Sequence, residues 1–199
     1  MSYSSVILNL IQALCAMPGI GKKSAQRIAF HLLEKDREGA QTLSMSLSQA
    51  VLKIRNCKEC RMLTDDDLCL ICNSDSRDES TICIVESPSD VMAIEDATGF
   101  KGKYFILMGH LSPIDGVGPE ELGLSKLEDK LAKGSVSELI IATNSTVEGD
   151  ATAHLISGIA AKHQISCSRI AHGIPLGGEL EYVDGGTISH AFFGRRKME

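Results

Sequence analysis

The 199-residue chain contains no tryptophan, and Phe, Trp and Tyr together make up 4% of it. Gripping single strands by base stacking needs exposed aromatic platforms. Any hold on nucleic acid must here be electrostatic, and must weaken as salt rises. No apolar run is long enough to cross a bilayer. The apolar stretch from Val6 to Met17 is interrupted by Asn9 and Gln12, and no basic region precedes it. It reads as a core helix and not as a signal peptide. An overall positive charge is also missing: the formal net charge is −6. The seven cysteines are an odd count, and four fall in one motif, which argues against a secreted disulfide scaffold. Cys15, Cys83 and Cys167 lie in apolar segments and are expected to be buried thiols, not nucleophiles. The expected compartment is a reducing cytoplasm.

What the chain does have begins at residue 57. Cys57-Lys58-Glu59-Cys60 is followed, eight residues on, by Cys69-Leu70-Ile71-Cys72. Each CxxC turn brings two sulfurs near a common point, and four thiolates close a tetrahedral shell around zinc. Four protein ligands leave no position for water, so one structural ion per chain is expected, with no catalytic role. The alternative is a pair of redox dithiols. The loop from Arg61 to Leu68 carries Asp65-Asp66-Asp67 and no apolar pattern, so the metal would replace a core that so short a segment cannot build.

This knuckle separates two regions of different character. Residues 1–61 hold nine Lys and Arg against four Asp and Glu, or +5, which leaves −11 for the remainder. A basic end on an acidic body suggests one surface for polyanions and another for different partners. Apolar residues at Val6, Ile7, Leu10, Ile11 and Leu14 have helical spacing, and Pro18-Gly19 ends that helix. A second helix is expected from Lys22 to Leu33. Between them, Gly19 and Gly21 permit backbone shapes closed to other residues and let a phosphate approach the main chain. The N–H groups opening the second helix would face that anion, beside Lys22, Lys23 and Arg27. The stretch PGIGKKSAQRIA resembles a helix-hairpin-helix DNA-binding element, which holds the phosphodiester backbone and reads no bases. A Walker A loop is excluded, because Ala16 stands where its first glycine belongs and Lys23 where Ser or Thr belongs. A third helix, residues 39–54, carries Leu43, Leu47, Val51 and Ile54 on one stripe, expected to be core. Lys53, Arg55, Lys58 and Arg61 are expected to extend the phosphate-binding surface.

From residue 81 the pattern becomes strand–helix alternation: strands over 81–85, 103–108, 138–143 and 166–171, and helices over 89–97, 120–133 and 150–162. This order predicts an α/β unit with a parallel sheet covered by helices. Ligand-facing groups in such sheets lie beyond the strand C-termini, where Glu86, Glu148 and Asp150 fall. The arrangement resembles a Toprim domain, in which a Glu after the first strand and an Asp-x-Asp after the third hold magnesium. The stretch A-T-D-P-D-R-E-G-E of type IA topoisomerases corresponds here to Ala142-Thr143-Asn144-Ser145-Thr146-Val147-Glu148-Gly149-Asp150. Asn144 and Thr146 replace both aspartates, and two neutral side chains weaken a site for a hard cation. Glu86, Glu148 and Asp150 retain some capacity for magnesium, but two-metal phosphoryl chemistry is expected to be disabled. Tyr3, Tyr104 and Tyr182 are not placed like a topoisomerase nucleophile.

The order of hairpin, knuckle and degenerate Toprim unit is similar to the RecR family of bacterial recombination mediators, over essentially the whole chain. Val85 to Asp90, Ser112 to Pro119, Ala142 to Thr152 and Gly173 to Asp184 all match that family's pattern. The resemblance implies a hairpin region at 1–53, a zinc finger at 54–76, a Toprim domain at 77–172 and a C-terminal helical segment at 173–199. It implies no enzymatic activity. It implies ring-like homotetramers that encircle DNA, bind RecO and RecF, and help RecA replace single-strand-binding protein at gaps, in the nucleoid. By the same resemblance Gly19, Gly21, Lys22, Lys23 and Arg27 face DNA, and Glu86, Asp90, Glu148 and Asp150 contact RecO. Leu180 to Asp184, called Walker B-like in that family, is expected to pack subunits together. The rival expectation is a metal-dependent nuclease or nucleotidyl transferase built on Glu86, Glu148 and Asp150.

Overall fold

A computed structural model describes residues 3–171 and 173–195. The chain divides into two compact units, residues 1–54 and 55–199. In the first, Ser4 caps helix α1 (Ser5–Cys15), its hydroxyl accepting from the Ile7 N–H at 3.5 Å. Helix α2 spans Lys22–Glu34 and α3 spans Arg37–Lys53. The small side chains Ala25 and Ala29 let α2 close on Ile11 and Leu14 of α1, with Ile7, Leu10 and Ile28 at the margin.

Helix α3 overturns one expectation. None of its residues is buried, and Leu43, Leu47, Val51 and Ile54 are all exposed, Val51 at 82%. Periodicity reveals that one face of a helix is apolar, but not what covers it. Here the α1–α2 core closes without α3.

In the second unit, β1 (Arg55–Asn56) and β2 (Leu63–Thr64) form a short antiparallel ladder at the knuckle. Strands β3 (Asp78–Val85), β4 (Gly102–Ile106), β5 (Glu138–Ala142) and β6 (Ser166–Arg169) follow, all parallel, in the order β4-β3-β5-β6. Helices α4 (Pro88–Thr98), α5 (Leu124–Ala132) and α6 (Val147–Lys162) connect them, and α7 (Gly185–Phe193) lies near the C-terminus. Side chains alternate across the sheet, so both faces are filled. Ile82, Ile84, Phe105, Leu139 and Ile141 pack with Leu127 and Leu131 of α5 and Ile156 and Ile159 of α6. Cys83, Val85, Tyr104, Ile106 and Ala142 pack with Val91 of α4.

The two edges of the sheet differ. The edge strand β4 is covered by the knuckle, where the Ile106 N–H donates to the Cys60 carbonyl at 2.9 Å. Strand β6, with one neighbour, is largely exposed. This explains why Cys167, expected to be buried, is exposed, while Cys83 on the interior strand β3 is buried and its thiol is pushed up to about 12 by burial. Cys15 is half-buried.

Candidate functional site

The knuckle brings its four sulfurs together. Cys57, Cys60, Cys69 and Cys72 are all buried, with ligand atoms within 4.8 Å of one another. Backbone donors aim at the cluster: the Met62 N–H at Cys60 Sγ and the Cys69 N–H at Cys57 Sγ, each at 3.4 Å. Such donors stabilise thiolates. Contact with Cys69, then with Cys72, and burial push the Cys60 thiol up, while hydrogen bonds with Cys60 and then Cys72 push the Cys69 thiol down. The donor set therefore fits a soft divalent ion bound by four thiolates.

The basic residues of the knuckle are engaged by other groups, Arg55 and Lys58 at the surface and Arg61 inside. Arg55 and Lys58 pair with Asp67, Lys58 Nζ at 2.6 Å from Oδ2. Arg61 is turned inward, where its guanidinium donates to the carbonyls of Leu107, Glu121 and Leu122. The expectation that it extends a phosphate surface is corrected on this geometry.

The hairpin has the opposite character. Gly19 has φ of +79°, a conformation L side chains rarely adopt. Gly21 is the N-cap of α2 and offers no side-chain cap bond, which leaves the first N–H groups of that helix without a capping oxygen. A Cβ at either glycine would meet nothing within 4 Å, so the approach is open. Lys22, Lys23 and Arg27 are exposed beside it. Among the described residues none of the three forms an ion pair.

The acids sit near the C-terminal ends of β3 and β5 but do not converge. Glu86 follows β3 and is 5% exposed. Its Oε1 accepts from the Asn144 backbone N–H at 2.8 Å, and its Oε2 from Asn144 Nδ2 at 2.7 Å. His110 Nδ1 lies 3.2 Å from the same Oε2. Asp90 closes a capping box on α4, its Oδ2 accepting from the Ser87 N–H at 2.8 Å. Asp90 and Glu86 line a cavity of about 330 Å³ with Ser87, Pro88, Met108, Gly109 and Asn144. Helix α6 starts at Val147, earlier than its periodicity predicts, because Thr146 caps it. Glu148 and Asp150 therefore lie in its first turn, Glu148 exposed and Asp150 bonded to Arg169 at 2.5 Å. Among the described residues, the four cysteines are the one group arranged to hold a metal ion. The magnesium implied by the Toprim resemblance does not fit this arrangement.

Several residues that matter here were not singled out by motif. Asn144 was legible as a lost acid, not as a donor. Gly149 carries a stronger signal, a glycine in the first turn of a helix. A Cβ there would lie 2.1 Å from the Asn144 carbonyl oxygen and 3.2 Å from Glu86 Oε1. Gly149→Ala is expected to cost about 2–4 kcal/mol through backbone strain, read as a lowered denaturant midpoint. Tyr104 is buried and donates to Glu95 Oε1 at 2.7 Å. Burial, then that carboxylate, raise its pKa, which removes it as a nucleophile.

The geometry defines a Toprim-type α/β protein with a helix-hairpin-helix element and a four-cysteine metal-binding group. Known families match accordingly: the Toprim domain over residues 80–171, the RecR helix-hairpin-helix over 7–51 and the RecR C-terminal region over 173–196. Two relatives named Recombination protein RecR, from Xanthomonas oryzae pv. oryzae and Xanthomonas axonopodis pv. citri, are each 54% identical over 195 residues, covering 98% of this chain and 99% of the relative. Another of that name, from Methylococcus capsulatus, is 56% identical over 196 residues with the same coverage. The chain belongs to the RecR family of recombination proteins.

Proposed function

We propose that this protein is a non-enzymatic DNA clamp and adaptor in recombinational repair. The observation that carries the reading is the hairpin: three exposed cations, none in an ion pair among the described residues, beside the N-terminus of α2, which has no side-chain cap. Such a surface contacts phosphates without reading bases, on single or double strands. In this reading Gly19, Gly21, Lys22, Lys23 and Arg27 hold the backbone. The acidic Toprim part, through Asp90, Glu148, Asp150 and the surroundings of Glu86, receives RecO and RecF and so helps load RecA at gaps coated by single-strand-binding protein. The four cysteines hold one structural zinc.

The uncovered apolar stripe of α3 supports assembly of several copies, which in this reading form a ring-like tetramer. Closing a ring makes several weak phosphate sites act together at high effective concentration. The absence of catalysis is supported by the hydrogen-bonded state of Glu86 and by the ion pair of Asp150. The proposed parts are the hairpin region 1–53, the zinc finger 54–76, the Toprim domain 77–172 and the C-terminal segment 173–199, in a cytoplasmic, nucleoid-associated protein.

Replacing Lys22, Lys23 and Arg27 together by Glu is expected to lower DNA affinity by on the order of 100-fold or more at moderate salt, with a shallower dependence of log K on log salt. Fluorescence anisotropy against a salt series measures both. Unchanged affinity and slope would move the DNA surface elsewhere. Magnesium-dependent turnover of DNA that disappears in Glu86→Gln would establish the nuclease or nucleotidyl transferase reading instead.

A further inference from the structure

We propose that Asn144 replaces a divalent cation in this chain, holding the buried Glu86 carboxylate so that the β3–β5 crevice needs no metal. The inference concerns the architecture of the Toprim sheet and does not rest on the DNA-clamp reading. Glu86 leaves the C-terminal end of β3, and an ionised carboxylate buried there persists only if donors or a cation meet its oxygens. Asn144 meets both. Its backbone N–H reaches Oε1 and its side-chain amide reaches Oε2, at 2.8 and 2.7 Å.

The side chain that does this has to be a hydrogen-bond donor, and here it is an amide. An aspartate at 144 would keep the backbone donor but place an anionic oxygen where Nδ2–H now meets Oε2. That pair of facing carboxylates would need a proton or a cation between them.

The surrounding turn fixes Asn144 independently of Glu86. The Thr143 hydroxyl donates to the Gly149 carbonyl at 3.0 Å, and the Gly149 N–H donates to Thr146 Oγ1 at 3.0 Å. Gly149 itself makes room, because any Cβ would overlap the Asn144 carbonyl. The neighbouring acids are engaged separately, Asp150 by Arg169 and Asp90 by the cap of α4. A cation would therefore find each oxygen of Glu86 already accepting an N–H, and among the described residues no group of three acids arranged to hold it.

The test is thermal unfolding of the zinc-loaded full-length protein, with and without 10 mM magnesium chloride and with no chelator. We expect the parent protein to melt at the same temperature in both. Asn144→Asp is expected to melt about 5 °C lower without magnesium, as a like charge set against the buried Glu86 carboxylate implies, and to recover at least half of that loss with it. The double variant Glu86→Gln, Asn144→Asp exchanges donor and acceptor: the glutamine amide would donate to Asp and its carbonyl accept the backbone N–H. It should melt near the parent temperature with or without magnesium, and it remains informative if the single variant fails to fold. The proposal is overturned if magnesium stabilises the parent, if Asn144→Asp melts like the parent without magnesium or stays low with it, or if the double variant is itself unfolded or magnesium-dependent.

Discussion

Purified protein is expected to carry about one zinc ion per chain, and Cys69→Ser is expected to carry none and to lose the fold of the knuckle. The four sulfurs form the centre of a cluster whose remaining members are Met62, Leu68 and Ile71. That is too little apolar surface for a segment of this length to fold by itself. Structural zinc contributes on the order of 10 kcal/mol or more in small thiolate sites, comparable to the whole stability of a domain, about 5–15 kcal/mol. The damage should extend beyond the knuckle. Met62 and Ile71 also pack against the sheet face built from Val85, Tyr104 and Ile106, and Cys60 bonds to the edge of β4. The melting temperature should fall by more than about 15 °C, while the helical signal of residues 1–54, which have a separate core, should largely persist. Metal analysis together with circular dichroism measures this. The sign with pH follows from competition for thiolates: zinc should be released as pH falls. A metal-free wild-type protein with an unchanged melting temperature would refute a structural role for the ion.

Arg61→Met should destabilise the protein by about 3 kcal/mol while leaving zinc content and DNA affinity unchanged. Arg61 occupies the left-handed region, with φ of +70°, directly after Cys60. Its guanidinium reaches the carbonyls of Leu107 and Glu121 at 3.0 Å, and also that of Leu122. Its charge lies 6.0 Å from the centre of the Phe105 ring. Gly123, with φ of +69°, leaves the space for it, since a Cβ there would lie 2.5 Å from Nη1. Removing the guanidinium strands the carbonyls of the buried Leu107 and Leu122, and hydrogen bonds from a charged donor contribute about 1.5–3 kcal/mol each before relaxation. Denaturant midpoints with parallel zinc and DNA-binding assays separate this outcome from loss of metal and from loss of a phosphate contact. A weaker DNA affinity with unchanged stability would return Arg61 to the binding surface.

The element boundaries that differ from the sequence pattern share a cause. Helix α6 begins three residues before its expected start because Thr146 can cap it, and α5 begins at Leu124, after the left-handed Gly123, four residues later than periodicity predicts. Apolar spacing registers where a helix becomes half-buried, whereas the cap decides where it begins. The same limit explains α3 and Cys167. An apolar stripe in one and a strand pattern in the other were legible, but their exposure depends on which neighbours exist.

The local patterns of the chain determined the hairpin, the paired CxxC turns, the alternation of strands and helices, and the loss of the Toprim acid pair. Each depends on residues a few positions apart, whose geometry the backbone itself fixes. The tertiary structure alone decided what the lost acid became. Glu86 and Asn144 are 58 residues apart in sequence, and Arg61 and Leu122 are 61. They meet because parallel strands can pair only through long crossovers, so the partner of a buried charge is selected by sheet order and not by spacing along the chain.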